Sequence, residues 1–369
     1  MCKKRDSFAG KIYPMKYLLS VFTLVCLFCS CKTDAPTLAF TQVKGETMGT
    51  YYTVTYRDSL GRDFKTQFDS ILAQVNAEVS TYEPQSTITI FNKTADSLDL
   101  KNNVFSGDQA AAEHNKHFIT NLLAAKQVYE ESNGAFDPTV MPLVNYWGFG
   151  YTPKKPVEQT DTLKIDSLMR YVGFEKITFR RDEESVISKQ LPGVQLDFSA
   201  CAKGYGVDAV GRFLSQKGLK DYYVEIGGES LGSGNGKSGD GWTVAVAVPK
   251  EGAATTDFSQ IVRLRDKAIA TSGNYINFYE VNGNKYAHTI NPKTGYPQAS
   301  NLLSATVFTD ECMMSDAYAT ACMVMGSEAA QTFIEGLEGV EGMFIYADEK
   351  GDLQTKYTTG ARKMTAEMK

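Results

Sequence analysis

With 369 residues, 43% of them hydrophobic and 22% charged, and a formal net charge of −5, the chain can bury a sizeable core in one large domain or two ordinary ones. This composition excludes a disordered chain, and the acidic balance excludes charge-driven binding to nucleic acid or acidic lipid. Lys3, Lys4, Arg5, Lys11 and Lys16 precede an apolar run, YLLSVFTLVCLFCS, from Tyr17 to Ser30. As a helix that run covers about 21 Å, short of the roughly 30 Å hydrocarbon core of a bilayer. Residues 1–30 are therefore expected to be an export signal.

The run closes on Ser30-Cys31 and turns polar at Lys32-Thr33-Asp34. That ending resembles a bacterial lipobox, which implies a lipidated Cys31, a tether over residues 31–42 and an extracytoplasmic, membrane-anchored protein. Without the signal, which carries five basic and one acidic side chain, the net charge becomes about −9. Cys201, Cys312 and Cys322 remain in the body of the chain; their spacing matches no zinc site, and they are expected to be small buried residues.

Beyond the tether, Thr47-Met48-Gly49-Thr50 leads into YYTVTY, whose Thr, Val and Tyr residues favour a strand. In FDSILAQVNAEV, Phe68, Ile71, Leu72, Val75 and Val79 recur at helical spacing and predict a helix that stops near Pro84. A second helix is predicted over Asp108 to Glu131, with Phe118, Leu122, Ala125 and Val128 on one stripe. His114 and His117 lie on it three apart; no acidic or sulfur partner accompanies them, so a solvated face is expected instead of a metal site. Residues 151–192, rich in charge and proline, read as a peripheral excursion. A strand at Val194 to Phe198, a helix at Gly206 to Lys217 and a strand at Tyr222 to Ile226 follow. Strands and helices interleave without a strict βαβ rhythm, so the expected class is α+β with mixed sheets, residues 43–365 forming one unit, single or bilobed.

Four stretches carry candidate chemistry. LDFSACAKGYGVDAV, residues 196–210, offers a strand end and a helix start, where free N–H groups and Lys203 suit a phosphate; a plain connection is the alternative. GSGNGKSG, residues 232–239, is excluded as a P-loop because it lacks the first glycine and runs into Gly241-Trp242. Two residues separate His288 from the tight loop Asn291-Pro292-Lys293-Thr294-Gly295-Tyr296-Pro297. It either ends a strand and packs on the turn or serves as the one side chain that titrates near neutrality. Finally, SDAYATACMVMG, residues 315–326, predicts a helix apolar on nearly every side and hence buried, with Ser315 as N-cap and Gly326 as stop. Asp316 and Thr320 sit four apart on one face of it, hard oxygens that suit Mg²⁺, unless Asp316 is a first-turn residue favoured by the helix dipole.

Taken in order, ETMGT (46–50), STYEPQSTITIFN (80–92), GAFDPTV (134–140), LDFSACAKGYGVD (196–208), EIGG (225–228), HTINPKTGYP (288–297) and SDAYATA (315–321) resemble the ApbE family of flavin transferases. The resemblance implies an extracytoplasmic Mg²⁺-dependent enzyme that transfers FMN from FAD to a threonine hydroxyl of an acceptor protein and releases AMP. The implied acceptors are subunits of membrane redox pumps or other exported flavoproteins. It implies that Met48 and Tyr82 contact the flavin and that Ala135, Phe136, Asp137, Asp197, Lys203 and Ile290 line the FAD site. It further implies Mg²⁺ on Asp316, Thr320 and the carbonyl of Ala200, and a catalytic His288. Asn291 departs from the family's usual Asp-Pro, so a charge is missing beside that turn. FAD hydrolysis with water as acceptor and non-catalytic flavin binding are the alternatives.

Overall fold

The computed structural model describes residues 39–101, 115–152, 157–180, 185–250, 252, 257–274, 278–281 and 284–366. The expected export signal, Cys31, most of the tether and His114 lie outside the described residues.

An eight-stranded antiparallel sheet forms the frame, and its spatial order is its chain order: Thr41–Thr47 (β1), Thr50–Tyr56 (β2), Tyr222–Ile226 (β3), Glu229–Ser233 (β4), Lys267–Gly273 (β5), Leu302–Thr309 (β6), Glu341–Ala347 (β7) and Leu353–Tyr357 (β8). β1 and β2 join through Met48 and Gly49, both at positive φ (51° and 71°), the twist that a two-residue hairpin requires. The helices of this α+β fold include Lys65–Val79 (α1), Thr87–Lys93 (α2), Lys116–Glu131 (α3), Ala202–Gln216 (α4), Cys312–Met325 (α5) and Ser327–Glu335 (α6).

Alternation along β2 buries Tyr52, Val54 and Tyr56 on one face, where they meet Phe68 and Leu72 of α1 and Val207, Val210 and Leu214 of α4. A second cluster surrounds α5, whose Ala317, Ala319, Ala321, Cys322 and Met323 are fully buried together with Phe118 and Leu122 of α3. A helix apolar all round is stable only in such a position, because each large apolar side chain withdrawn from water contributes about 1.5–3 kcal/mol. Cys201, Cys312 and Cys322 are buried and free.

Four local expectations are corrected. Val194 to Phe198 is extended with Val194, Leu196 and Phe198 buried, but it joins no sheet. Instead the Asn92 side chain substitutes for a neighbouring strand, donating to Leu196 O at 2.8 Å and accepting from Leu196 N at 2.7 Å. The helices carrying Lys203 and Asp316 begin earlier than their apolar patterns suggest, at Ala202 and Cys312, so Ser315 is internal and Asp316 lies beyond the first turn. His117 is buried, not solvated, because α3 turns it toward α4, where its Nδ1 stands 2.8 Å from the Tyr205 hydroxyl. Residues 151–192 are not merely peripheral, since Phe174, Ile177 and Ile187 enter the main core.

Candidate active site

The site grows from the place where α4 and α5 cross. A Cβ at Gly204 would lie 2.4 Å from Cys312 O, so only glycine lets the two helix starts touch. One turn along α4, the Asp208 carboxylate accepts from the N–H groups of Cys312 (2.8 Å) and Met313 (2.9 Å), satisfying donors that every helix start leaves open. Burial pushes the Asp208 carboxyl up to about 7, against the pull of those two N–H groups.

This crossing brings Asp316 to the start of α4, where its Oδ2 accepts from Gly204 N at 3.2 Å. The Lys203 ammonium lies 3.8 Å from Asp316 Oδ2 and 3.4 Å from Glu229 Oε1. Burial disfavours that ammonium, but Asp316 and Glu229 outweigh it and hold Lys203 above its ordinary range. Burial likewise raises both carboxyls, against the attraction of Lys203. Thr320, one turn beyond Asp316, meets Ser272 of β5 with 3.4 Å between hydroxyl oxygens.

Opposite lie the residues of the other motifs. The Asp197 N–H donates to Pro138 O at 2.7 Å, tying the extended segment to the GAFDPTV stretch. Its carboxylate accepts from Ser199 N and Oγ, both at 2.9 Å, and burial raises it above the usual carboxylate range. Asp137 caps the following turn by accepting from Thr139 N (2.8 Å) and Oγ1 (2.6 Å); burial still pushes its carboxyl up to about 6. Tyr82 is 67% exposed at the rim.

His288 directly follows the strand Asn284–Ala287. Asn291 shapes the loop after it: its Oδ1 accepts from Lys293 N at 2.9 Å, its carbonyl from Gly295 N at 2.8 Å, and its Nδ2 donates to Gln298 Oε1 at 2.8 Å. Asparagine therefore performs the turn-forming role that aspartate would, and adds a donor. Trp147 Nε1 pins the loop by donating to Gly295 O at 2.8 Å. The rings of Trp147, Tyr286, Tyr279 and Phe149 stack in succession at 5.5, 5.3 and 5.2 Å, and Phe149 meets His288 edge-on at 6.4 Å.

One cavity of about 720 Å³ joins these pieces, and it is lined by Tyr82, Ala135, Phe136, Asp137, Asp197, Ala200, Lys203, His288, Ile290, Asp316 and Thr320. Of the sequence-predicted residues only Met48 lies elsewhere: it occupies the β1–β2 turn, its Cε 3.1 Å from where a Cβ on Gly206 would stand. Sequence reasoning missed Glu229, Ser199, Ser272, Phe149 and Tyr279, which share the lining. Glu229 directly follows the EIGG motif, and an acid at that position is the signal in the sequence.

The donors fit a hard cation. Among the described residues no cluster of three or more His, Cys, Asp or Glu could hold a metal. Asp316, Thr320 and Ala200, which line the cavity, bring a carboxylate, a hydroxyl and a backbone carbonyl, donor types that suit Mg²⁺, which keeps several waters or phosphate oxygens of its own.

The ApbE family model matches residues 48–344. The FAD:protein FMN transferase of Vibrio cholerae is 32% identical over 339 residues, covering 91% of this chain and 95% of the relative. That of Haemophilus influenzae is 32% identical over 357 residues, covering 95% and 99%. Among solved structures, the flavin transferase ApbE from Vibrio cholerae superposes with a TM-score of 0.75 at 30% identity, over 89% of this chain and 99% of that one. The apo flavinyl transferase ApbE of Pseudomonas stutzeri gives 0.75 at 28% identity, over 89% and 97%. By sequence match and by fold, this chain belongs to the ApbE family.

Proposed function

We propose that this chain is an FAD:protein FMN transferase that requires Mg²⁺, attaches FMN to a threonine hydroxyl of an acceptor protein through a phosphoester, and releases AMP. The observation that carries this reading is the convergence of residues from six separate motifs on one cavity of about 720 Å³, within the roughly 300–1,000 Å³ usual for cofactor-sized ligands. The names of the relatives support FMN transfer from FAD.

Asp316, Thr320 and the Ala200 carbonyl would hold Mg²⁺, which when bound neutralises charge that gathers on a diphosphate. Lys203 and the first turn of α4 supply further positive potential to the same phosphates. Ala135, Phe136, Asp137, Asp197 and Ile290 wall the dinucleotide, and Tyr82 at the rim offers a ring face to the flavin. Met48, on the β1–β2 turn beside Gly206 of α4, would contact the flavin from that side. In the reaction the acceptor threonine oxygen bonds to the FMN phosphorus as the bond to the AMP oxygen breaks. The hydroxyl proton passes to His288, which stands at the cavity with its loop pinned by Trp147.

The remaining proposals follow the amino-terminal sequence: an export signal over residues 1–30, lipid on Cys31, a tether to residue 42 and an enzymatic unit over 43–365. Together they make an extracytoplasmic, membrane-anchored protein whose acceptors are exported flavoproteins or membrane redox-pump subunits.

The test incubates the protein with FAD, with and without Mg²⁺, and with and without an acceptor peptide containing one threonine. AMP release and the mass of FMN on that threonine, both abolished by EDTA, are the expected result. AMP without labelled peptide makes water the acceptor, and neither product reduces the protein to a flavin binder.

A further inference from the structure

We propose that Glu229 is a positioning residue: it receives the Lys203 ammonium, and so keeps it clear of Asp316, when a divalent cation binds at Asp316, Thr320 and Ala200. This inference rests on the metal site proposed above and adds the device that makes room for the metal.

Two buried carboxylates share one ammonium. The side chains of Asp316 and Glu229 are 5% and 7% exposed, and Lys203 stands between them at 3.8 and 3.4 Å. Glu229 is only half used, because its Oε2 is buried and accepts no hydrogen bond among the described residues. A buried carboxylate oxygen without a donor is costly and asks for an explanation. Glu229 lines the cavity at the first position of β4, so the spare oxygen belongs to the same site as Lys203.

The turn before it is built for the approach. Gly227 and Gly228 adopt φ of 60° and 108°, and a Cβ on Gly227 would stand 3.5 Å from Lys203 Cδ and 2.9 Å from Thr50 Cγ2. The double glycine supplies the left-handed backbone of the β3–β4 turn, and the lysine stem passes that turn at ordinary contact distance on its way to the acid that follows.

A cation on Asp316 would place two positive charges beside the ammonium. The lysine must then leave Asp316, and the free Glu229 oxygen gives it a second anchor within reach of the same stem. Without Glu229, Asp316 would be the remaining carboxylate ion-paired with Lys203, and the ammonium would compete with the metal for it.

The experiment measures Mn²⁺ binding without FAD, counting free ion by electron paramagnetic resonance, for the parent protein, Glu229→Gln, Lys203→Met, the double variant and Asp316→Asn. Glu229→Gln should raise the dissociation constant about 10- to 100-fold, as loss of an outer-shell partner does. The double variant should return to the affinity of Lys203→Met, because the competitor is gone. An unchanged constant in Glu229→Gln overturns the proposal. So does a double variant as weak as Glu229→Gln alone, since Glu229 would then act on the cation directly. If Glu229→Gln does not fold, Glu229→Asp, with its carboxylate drawn back by one methylene, must weaken binding in the same direction, and an unaltered constant there is equally fatal. Normal binding by Asp316→Asn would instead sink the metal site itself.

Discussion

Asp208 on α4 holds the first two N–H groups of α5, those of Cys312 and Met313, at 2.8 and 2.9 Å. The starts of the two helices that carry Lys203 and Asp316 are thereby locked together, and a carboxyl outside the cavity lining sets the geometry of the residues proposed to act there.

That carboxyl has a pH signature. Burial raises it to about 7 in the folded protein, against about 3.9 in an unfolded chain. Folding then binds a proton in this interval, so the contribution to stability is complete below about pH 4 and is lost as pH rises through about 7. Thermal midpoints of the parent and Asp208→Asn, compared from pH 4 to 8, should show the parent losing ground to the variant as pH increases. Parallel curves would mean that Asp208 does not titrate in this range.

Gly204→Ala forces a methyl to within 2.4 Å of Cys312 O. The better helix propensity of alanine favours the variant by about 1 kcal/mol, but overpacking against backbone costs about 1–3 kcal/mol or more. Net destabilisation of roughly 1–2 kcal/mol is expected in denaturant melts. Because the displaced α5 carries Asp316, AMP release should fall further than stability does.

Asn92→Ala leaves the N–H and carbonyl of Leu196 without the partners they have at 2.7 and 2.8 Å. Two orphaned buried backbone groups cost about 2–6 kcal/mol together. Chemical denaturation should register this loss, and FAD affinity should fall with it, because the neighbouring Asp197 depends on the same extended segment. An intact melting midpoint would contradict the role given to Asn92.

His288→Ala should reduce FMN transfer to peptide by about 10² to 10⁴-fold, the usual worth of a positioned proton acceptor. FAD affinity should change by no more than about twofold, since a histidine that acts on the acceptor contributes little to holding the donor. Equilibrium binding by flavin fluorescence and single-turnover transfer separate the two effects; transfer at the parental rate would remove His288 from the chemistry.

The amino-acid sequence alone determined what depends on local periodicity. The stripe Phe68, Leu72, Val75 and Val79, the alternation in YYTVTY and the unbroken apolar helix around Ala317 each state which face must leave water, and the folded chain obeys them. Family motifs likewise brought most cavity residues into view before any fold was drawn. Only the tertiary structure decided where α4 and α5 begin, because their first turns are set by each other: Gly204 and Asp316 are 112 residues apart yet share a hydrogen bond. It also decided that Val194 to Phe198 leans on an asparagine side chain instead of a strand, and that Glu229 faces Lys203 across a glycine turn. Such pairings follow from which surfaces the long-range packing brings together, and no window of neighbouring residues encodes that distance.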